Sequence, residues 1–492
     1  MKWNKILCVT TCILFIGFAL FFIQNDYWQD EIYTLSHFVF VPLKLTLTDY
    51  HVANNHILFS VLLNLCKHFS GLNSLPFFLQ HPYYLRIVPL VFTVLTIVIF
   101  YFSIKSLFTK SISLIASSTL VTTFAFLNFS VQLRGYSLSI FIAVIQLHYF
   151  LKILKNANTN HTDIYKLALA TLFSILCLPV NLYYATTFII SLIIIYLLPN
   201  HKKFNIAEKC NKPNILKLIF ILFIIIGICL VYYYWLFSRT ATLEASFPLK
   251  PFTTDYFVQF FAIIFHLVHY RIYFYVIVMI SFYSFYKRYR RNKTISLLYV
   301  VPALIILLYF IICIIHGAVV IQRIFLVLIP VFALIISYST DTFFRVRWLR
   351  NKLYIFFLLN FFTLIISFFV AAKKSVYTNK NSIHVHNLIN HYYLFNYNAF
   401  DAVHIAKNYS NHSKTILFIN EGFGDSGIKY YLQSFNIKFN DFSENSFINA
   451  KSFTVISNNK KNLEKELTQN GWHFKSLIDN KLYYNVYFCY KK

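Results

Sequence analysis

The sequence predicts an all-α polytopic membrane protein of about 11 transmembrane helices, followed by a small C-terminal α/β domain. Three observations carry this. The 492 residues are 58% hydrophobic and only 12% charged, with a mean hydropathy of +0.60. Apolar runs of about 20 residues, the length that crosses a hydrocarbon core, recur along 1–372. Beyond residue 372 those runs stop, and short strand-like and helix-like segments alternate over 373–492.

The first run follows Lys2 and Lys5 and lacks the small-residue cleavage site of a signal peptide, so 5–24 reads as a retained helix. Further spans are expected over 86–107, 111–129, 135–154, 166–180, 183–199, 215–236, 264–286, 295–315, 320–339 and 352–372. Pro179 and Asn181 divide 166–199 into a kinked pair. The segment 56–69 is too short to cross. Its residues Ile57, Leu58, Val61, Leu62 and Leu65 form an apolar stripe, which predicts a helix lying on the outer surface within a first outer loop, 25–85.

Orientation follows from the excess of Lys and Arg in cytoplasmic loops. Lys105 and Lys110, then Lys152, Lys155 and Lys166, then Lys202, Lys203, Lys209, Lys212 and Lys217 mark three inner loops. KRYRRNK, 287–293, and the group Arg345, Arg347, Arg350 and Lys352 mark two more. The N-terminus is then inside, while the acidic pair Asp30–Glu31 and the whole tail 373–492 are outside. In the tail, 415–420, 452–457 and 481–490 read as strands and 427–435 as a helix.

A net charge of +27 raises the question of nucleic acid. Lysine supplies 33 of the 44 basic residues, mostly in loops where a membrane protein needs them, so no nucleic-acid partner is expected. The eight cysteines are scattered without a CxxC pair, which argues against a zinc site or a disulfide framework. EGFGDSG, 421–427, has the GxGxxG spacing of a dinucleotide fingerprint, with Asp441 about 20 residues on. Too few strands follow to complete that fold, and Glu421 and Asp425 would repel a pyrophosphate. It reads as a glycine-rich turn.

What remains is an unusual set of charges. Asp30 and Glu31 are two of only 17 acids and stand side by side in NDYWQDEIYTL, 25–35, among Tyr27, Trp28 and Tyr33. Outside the inner clusters lie five arginines, Arg86, Arg134, Arg239, Arg271 and Arg323, together with Lys250. All are expected at the level of the outer leaflet, where the charge rule disfavours them. Outer cations beside paired carboxylates point to a site that binds an anion such as phosphate and moves a proton.

Four stretches carry a family resemblance. They are WQDEIYTL (28–35), NNHILFSVL (54–62), LRIVPLVFTVL (85–95) and SVQLRGYSLSIF (130–141), with QRIFLVLIP (322–330) as a fainter fifth. In these the chain resembles the GT-C glycosyltransferases, in the branch of the dolichyl-phosphate-mannose protein mannosyltransferases and the aminoarabinose lipid A transferases. The match is close over 20–145 and in topology only beyond. Relatives often carry His-Pro-Pro-Leu-Tyr where this chain has His56-Ile57-Leu58-Phe59, and Tyr where it has Ile324.

The resemblance implies a GT-C transmembrane catalytic domain over 1–372 and an extracytoplasmic domain over 373–492. It also implies an inverting transfer from a polyprenyl-phosphate sugar donor to a hydroxyl of a glycan, lipid or protein, at the outer face of the inner membrane. Asp30 is then the general base, and Glu31 orients the acceptor or holds a divalent cation, Mg or Mn. Arg134, Arg323, Arg86 and Lys250 would bind the donor phosphate; His56, Asn55 and Tyr136 would bind substrate. Two alternatives stay open: a lipid-linked glycan flippase or transporter, and an envelope polysaccharide polymerase or ligase.

Overall fold

Apolar stretches in lipid must close their backbone hydrogen bonds within the segment, and the described apolar runs of 1–372 form helices. The computed structural model describes residues 2–51, 55–71, 74–155, 160–197, 212–238, 283, 297–316, 322–344, 352–373, 399–413, 415–420, 427–442, 450–457, 460–478 and 485–491. In the helical part α1 is Lys2–Phe22, α2 Gln29–Thr34, α3 Leu43–Thr48, α4 Ile57–Ser70, α5 Leu75–Gln80 and α6 Tyr83–Leu107. Then come α7 Lys110–Thr122, α8 Phe124–Phe129, α9 Tyr136–Lys155, α10 His161–Cys177, α11 Asn181–Leu197 and α12 Lys212–Phe237. After them lie α13 Leu297–Ile315, a 3-10 helix Gln322–Leu328, α14 Ile329–Phe344 and α15 Leu353–Lys373.

Five stretches among the described residues are long and apolar enough to cross a membrane: Trp3–Phe22, Tyr83–Leu107, Tyr136–Lys155, Pro213–Phe237 and Arg323–Phe344. Asn181–Leu197, Val300–Ile315 and Leu353–Phe368 are shorter apolar helices. The expected span 264–286 apart from Tyr283, the loop lysines Lys202, Lys203 and Lys209, the basic run 287–293 and Arg345, Arg347 and Arg350 lie outside the described residues.

Three expectations change in detail. The span expected over 111–129 breaks at Thr123, whose backbone is extended (φ −72°, ψ 121°), and so divides into α7 and α8. That break is buried in protein, where irregular backbone is tolerated at membrane depth. α7 is enclosed by α1, α6, α14 and α15 and buries every residue from Ile112 to Thr122. Its small Ser and Thr side chains permit that close packing, and Ser118 Oγ accepts a hydrogen bond from Asn360 Nδ2 of α15 at 3.0 Å. The span expected over 320–339 opens as the 3-10 helix before α14, with the Tyr309 hydroxyl donating to the Ile324 carbonyl at 2.5 Å. Finally, α4 forms where expected and buries Ile57 of the stripe, but with it Phe59, Ser60, Leu63 and Asn64 rather than Leu58, Val61, Leu62 and Leu65. The Asn64 amide donates to the Val41 carbonyl and to Thr46 Oγ1, which draws that face against the preceding loop.

The C-terminal part contains α16 Ala399–Ser413, β1 Ile416–Asn420, α17 Gly427–Ser434, β2 Asn440–Asp441, β3 Ser452–Ser457, α18 Lys460–Gln469, β4 His473–Ser476 and β5 Asn485–Tyr490. The sheet has the order β2-β1-β3-β5-β4. β1 runs parallel to β2 and β3, while β5 is antiparallel to β3 and β4. Phe453, Trp472 and Tyr487 anchor one core of this domain. α17 packs onto α2 and α5, which brings the domain over the segment joining α1 to α6.

Candidate functional site

The site is built where that joining segment meets the entry to α9. After α1 the chain turns, and Trp28, extended at φ −70° and ψ 155°, precedes α2. The Trp28 N–H donates to Glu31 Oε2 at 2.9 Å, so Glu31 caps its own helix start. Asp30 and Glu31 both occupy the first turn, where the helix dipole favours negative charge.

From there the two acids diverge. Glu31 is 1% exposed. Its Oε1 accepts from Arg86 Nε at 3.1 Å and from the Leu133 N–H at 2.6 Å, and its Oε2 accepts from Arg86 Nη2 at 2.6 Å. Arg86, at the start of α6, also donates to the carbonyls of Ile23, Asn25 and Asp26, and its guanidinium lies 4.7 Å from the Tyr27 ring centroid. The pair is bidentate and enclosed, and ties α2, α6 and the loop before α9 together. Arg86 was expected among the phosphate ligands and Glu31 beside the acceptor; the structure instead turns these two side chains onto each other and onto backbone.

Asp30 faces the other way and stays 39% exposed. Its Oδ2 lies 3.4 Å from Arg134 Nη1 and 3.4 Å from Arg323 Nη1. Arg134 is 3% exposed and also donates to the Asp30 carbonyl at 3.3 Å, whereas Arg323, on the 3-10 helix, is 41% exposed. One carboxylate oxygen is therefore shared by two cations from distant parts of the chain.

His56 completes this group from the start of α4. Its Nδ1 accepts the Gly135 N–H at 2.7 Å, and its Nε2 lies 3.4 Å from Arg134 Nη2. Burial, and then the charges of Arg134 and Arg323, hold its pKa well below the usual value, so the ring is neutral. An Nδ1 that accepts places the ring proton on Nε2. That N–H and the Arg134 guanidinium are then neighbouring donors, with Nε2 and Nη2 3.4 Å apart, and an anionic oxygen beside them could accept from both. Tyr136 packs edge-on to His56, with centroids 5.0 Å apart, and its hydroxyl accepts from Arg134 Nη2 at 3.4 Å.

The structure thus brings together Asp30, Arg134, Arg323, His56 and Tyr136. Asn55 is turned away, with its amide donating to the carbonyls of Thr46 and Asp49, where it shapes the loop. Lys250, Arg239, Arg271 and residues 421–426 lie outside the described residues. Among the described residues no three His, Cys, Asp or Glu side chains group in a way that could hold a metal. The Asp30 oxygen against two guanidiniums, with Glu31 committed to Arg86, does not suit the oxygen-rich shell that Mg or Mn takes, so no step below is routed through a cation.

Sequence reasoning missed two contributors. A Cβ on Gly135 would meet His56 Cβ and Nδ1 at 3.0 Å and Cys177 Sγ at 3.1 Å, so the histidine sits as it does only over a glycine. The signal was present: a glycine lies between Arg134 and Tyr136 in a chain with only nine. Beside Asp30, on the same side of α2, the Tyr33 hydroxyl lies 2.6 Å from His51 Nε2, and His51 Nδ1 lies 2.6 Å from Asp49 Oδ1. Tyr33 stacks on His37 with centroids 4.0 Å apart, and Tyr430 of α17 closes edge-on over both.

A scan of protein-family models and a search of curated proteins find no match to the sequence. Solved structures do resemble this one. ArnT from Cupriavidus metallidurans bound to undecaprenyl phosphate aligns with a TM-score of 0.54 at 9% identity, over 99% of this chain and 98% of that one. The apo state of the same protein gives 0.56 at 10% identity, over 97% of each chain. The Archaeoglobus fulgidus oligosaccharyltransferase, in complex with zinc and sulfate, gives 0.56 at 12% identity, over 92% of this chain and 68% of that one. At such identities the likeness is one of fold alone.

Proposed function

We propose that this protein is an integral membrane glycosyltransferase that moves a sugar from a polyprenyl-phosphate donor to an acceptor hydroxyl, at the outer face of the cytoplasmic membrane. The observation that carries this reading is the half-exposed Asp30 carboxylate held 3.4 Å from both Arg134 and Arg323. The likeness to ArnT, a structure bound to undecaprenyl phosphate, supports a lipid phosphate as the donor group.

In the proposed reaction Asp30 accepts the acceptor's hydroxyl proton as that oxygen bonds to the anomeric carbon. The bond from that carbon to the phosphate oxygen breaks, and its electron pair stays on the lipid phosphate. The charge gained there is met by Arg134, Arg323 and the Nε2–H of His56, donors fixed before the reaction begins. A single displacement inverts the anomeric carbon. The two arginines serve in sequence: without donor they neutralise Asp30, and an arriving phosphate competes for them and frees the carboxylate oxygen for the acceptor. Glu31 and Arg86 hold this arrangement from behind. The half-exposed rings of Tyr33, His37 and Tyr430 suit the acceptor side, because they combine apolar faces with polar tips next to Asp30.

The experiment compares surface glycans by mass spectrometry in a deletion strain and in strains restored with wild type or Asp30→Asn, at equal membrane abundance. One sugar mass should vanish on deletion, return with wild type and stay absent with Asp30→Asn. Full restoration by Asp30→Asn removes Asp30 as base and moves a flippase, polymerase or ligase ahead.

A further inference from the structure

The segment between α1 and Asp30 is gripped by the C-terminal domain at two points. Asp26 Oδ2 accepts the N–H of Phe400, the second residue of α16, at 2.8 Å. The Tyr27 N–H donates to the Tyr431 hydroxyl of α17 at 3.0 Å, and Tyr27 and Tyr431 are both fully buried. The first N–H groups of a helix have no partner within it, so α16 takes a carboxylate from 374 residues away as its cap. The grip continues into the site. Arg86 donates to the Asp26 carbonyl at 3.0 Å and covers the Tyr27 ring, and the same guanidinium holds Glu31, whose neighbour is Asp30. The Tyr27 hydroxyl donates to the Pro82 carbonyl at 2.8 Å, which fixes the segment to the entry of α6.

We infer that Asp26 is a positioning residue: by capping α16 it fastens the C-terminal domain onto the Asp30 segment, and this docking sets the carboxylate of Asp30 for the reaction. The inference rests on the proposed transferase reading for its consequence, but not for the docking. The C-terminal domain is then a working part of the site. Its separation from Asp26 and Tyr27 frees the segment that Arg86 holds and lets the first turn of α2 move.

The test uses the full-length protein as wild type, Asp26→Ala, Asp26→Asn, Tyr431→Phe and Asp30→Asn. Hydrogen–deuterium exchange in detergent reads docking, and the glycan product in restored cells at equal membrane abundance reads positioning. With Asp26→Ala, exchange at 27–34 and 399–405 should rise roughly tenfold to a hundredfold, as expected when the partly buried N–H of Phe400 is left without its acceptor. Product should fall about tenfold or more. Asp26→Asn should restore both readouts, because its amide oxygen still accepts from Phe400. Tyr431→Phe keeps the ring, removes only the hydroxyl, and should give a smaller change of the same sign; it decides the matter if Asp26→Ala does not reach the membrane. Unchanged exchange with Asp26→Ala and Tyr431→Phe overturns the fastening. Raised exchange with full product overturns the positioning. Full product with Asp30→Asn overturns the transferase reading by itself, leaving the exchange result to stand on its own.

Discussion

The Nδ1 of His56 accepts the backbone N–H of Gly135 at 2.7 Å, and this one bond decides which way the imidazole donates. It places the ring proton on Nε2, towards Arg134, and it depends on a residue without a side chain. Gly135→Ala would press a methyl group to 3.0 Å from His56 and 3.1 Å from Cys177, inside a buried contact with Tyr136. The expected result is a loss of about 1–3 kcal/mol in stability from overpacking. The glycan product should drop more than that loss alone predicts, because the Nε2–H is mis-aimed. A melting curve of the purified protein, set beside product yield at equal abundance, checks both. An alanine variant with unchanged product would mean that the aim of His56 does not matter.

Arg86 and Glu31 form the most enclosed ion pair of the site, with side chains 2% and 1% exposed. Arg86→Leu leaves a buried carboxylate without its counter-charge, which costs about 3–5 kcal/mol. The protein should accumulate poorly in the membrane and melt early. Arg86→Lys should recover little, because an ammonium cannot reproduce the fork that serves both Glu31 oxygens and three carbonyls. Removing both charges together, with Glu31→Gln and Arg86→Met, should recover part of the stability. If Arg86→Leu kept full abundance and thermal stability yet lost lipid-phosphate binding, Arg86 would return to the donor's ligands.

Much of this was legible in the sequence, and the reasons for the rest are physical. Long apolar runs mark α1, α6, α9 and α12 because length and hydropathy are local properties. The strands 416–420, 452–457 and 485–490 fall within or near the segments read as strands, where β-branched and aromatic residues cluster. β2, β4 and α18 escape that reading: β2 has only two residues, β4 exposes every second one, and α18 is mostly polar. Charge placement could suggest that Asp30, Arg134 and Arg323 share a level. It could not separate Asp30 from Glu31, because adjacent helical residues point about 100° apart and only their partners, Arg86 at one and Arg134 and Arg323 at the other, show which is enclosed. Nor could a pattern reveal the break at Thr123 or the cap on Phe400, which depend on packing between distant segments.

On the proposed reading Asp30 and an incoming phosphate compete for the same two guanidiniums, and this sets the sign of a binding measurement. Arg323→Ala should weaken binding of undecaprenyl phosphate by roughly tenfold, the value of one charge-assisted hydrogen bond. Arg134→Ala should weaken it more, because Arg134 is buried and also steadies Tyr136 and the Asp30 carbonyl. Asp30→Asn should act in the opposite direction. It should abolish turnover, yet it removes a negative charge 3.4 Å from both arginines, so the lipid phosphate should bind several-fold tighter. Native mass spectrometry or calorimetry with undecaprenyl phosphate reads all three. Weaker binding by Asp30→Asn would mean that the carboxylate helps hold the donor rather than competing with it.

Docking of the C-terminal domain should depend on pH through Asp26. Burial pushes its pKa up from 3.8 to about 7, with Asp401 on α16 adding to the rise, while the Phe400 N–H and Arg86 oppose it. Tyr27 and Tyr431 also face it, both with hydroxyls raised by burial and so neutral here. The docked state therefore keeps its proton at pH values where the separated segment has lost it. Docking is fully favoured below the ordinary carboxylate range, weakens as pH climbs to about 7, and changes little above that. Exchange protection at 399–405, corrected for the intrinsic rate, should fall by at most about tenfold per pH unit in that window, since one proton is linked. Asp26→Asn cannot ionise and should give a flat profile at the docked level. A wild-type profile that is already flat between pH 4 and 7, or one in which protection rises, would show that Asp26 keeps its charge in the docked state and that Arg86 outweighs burial there.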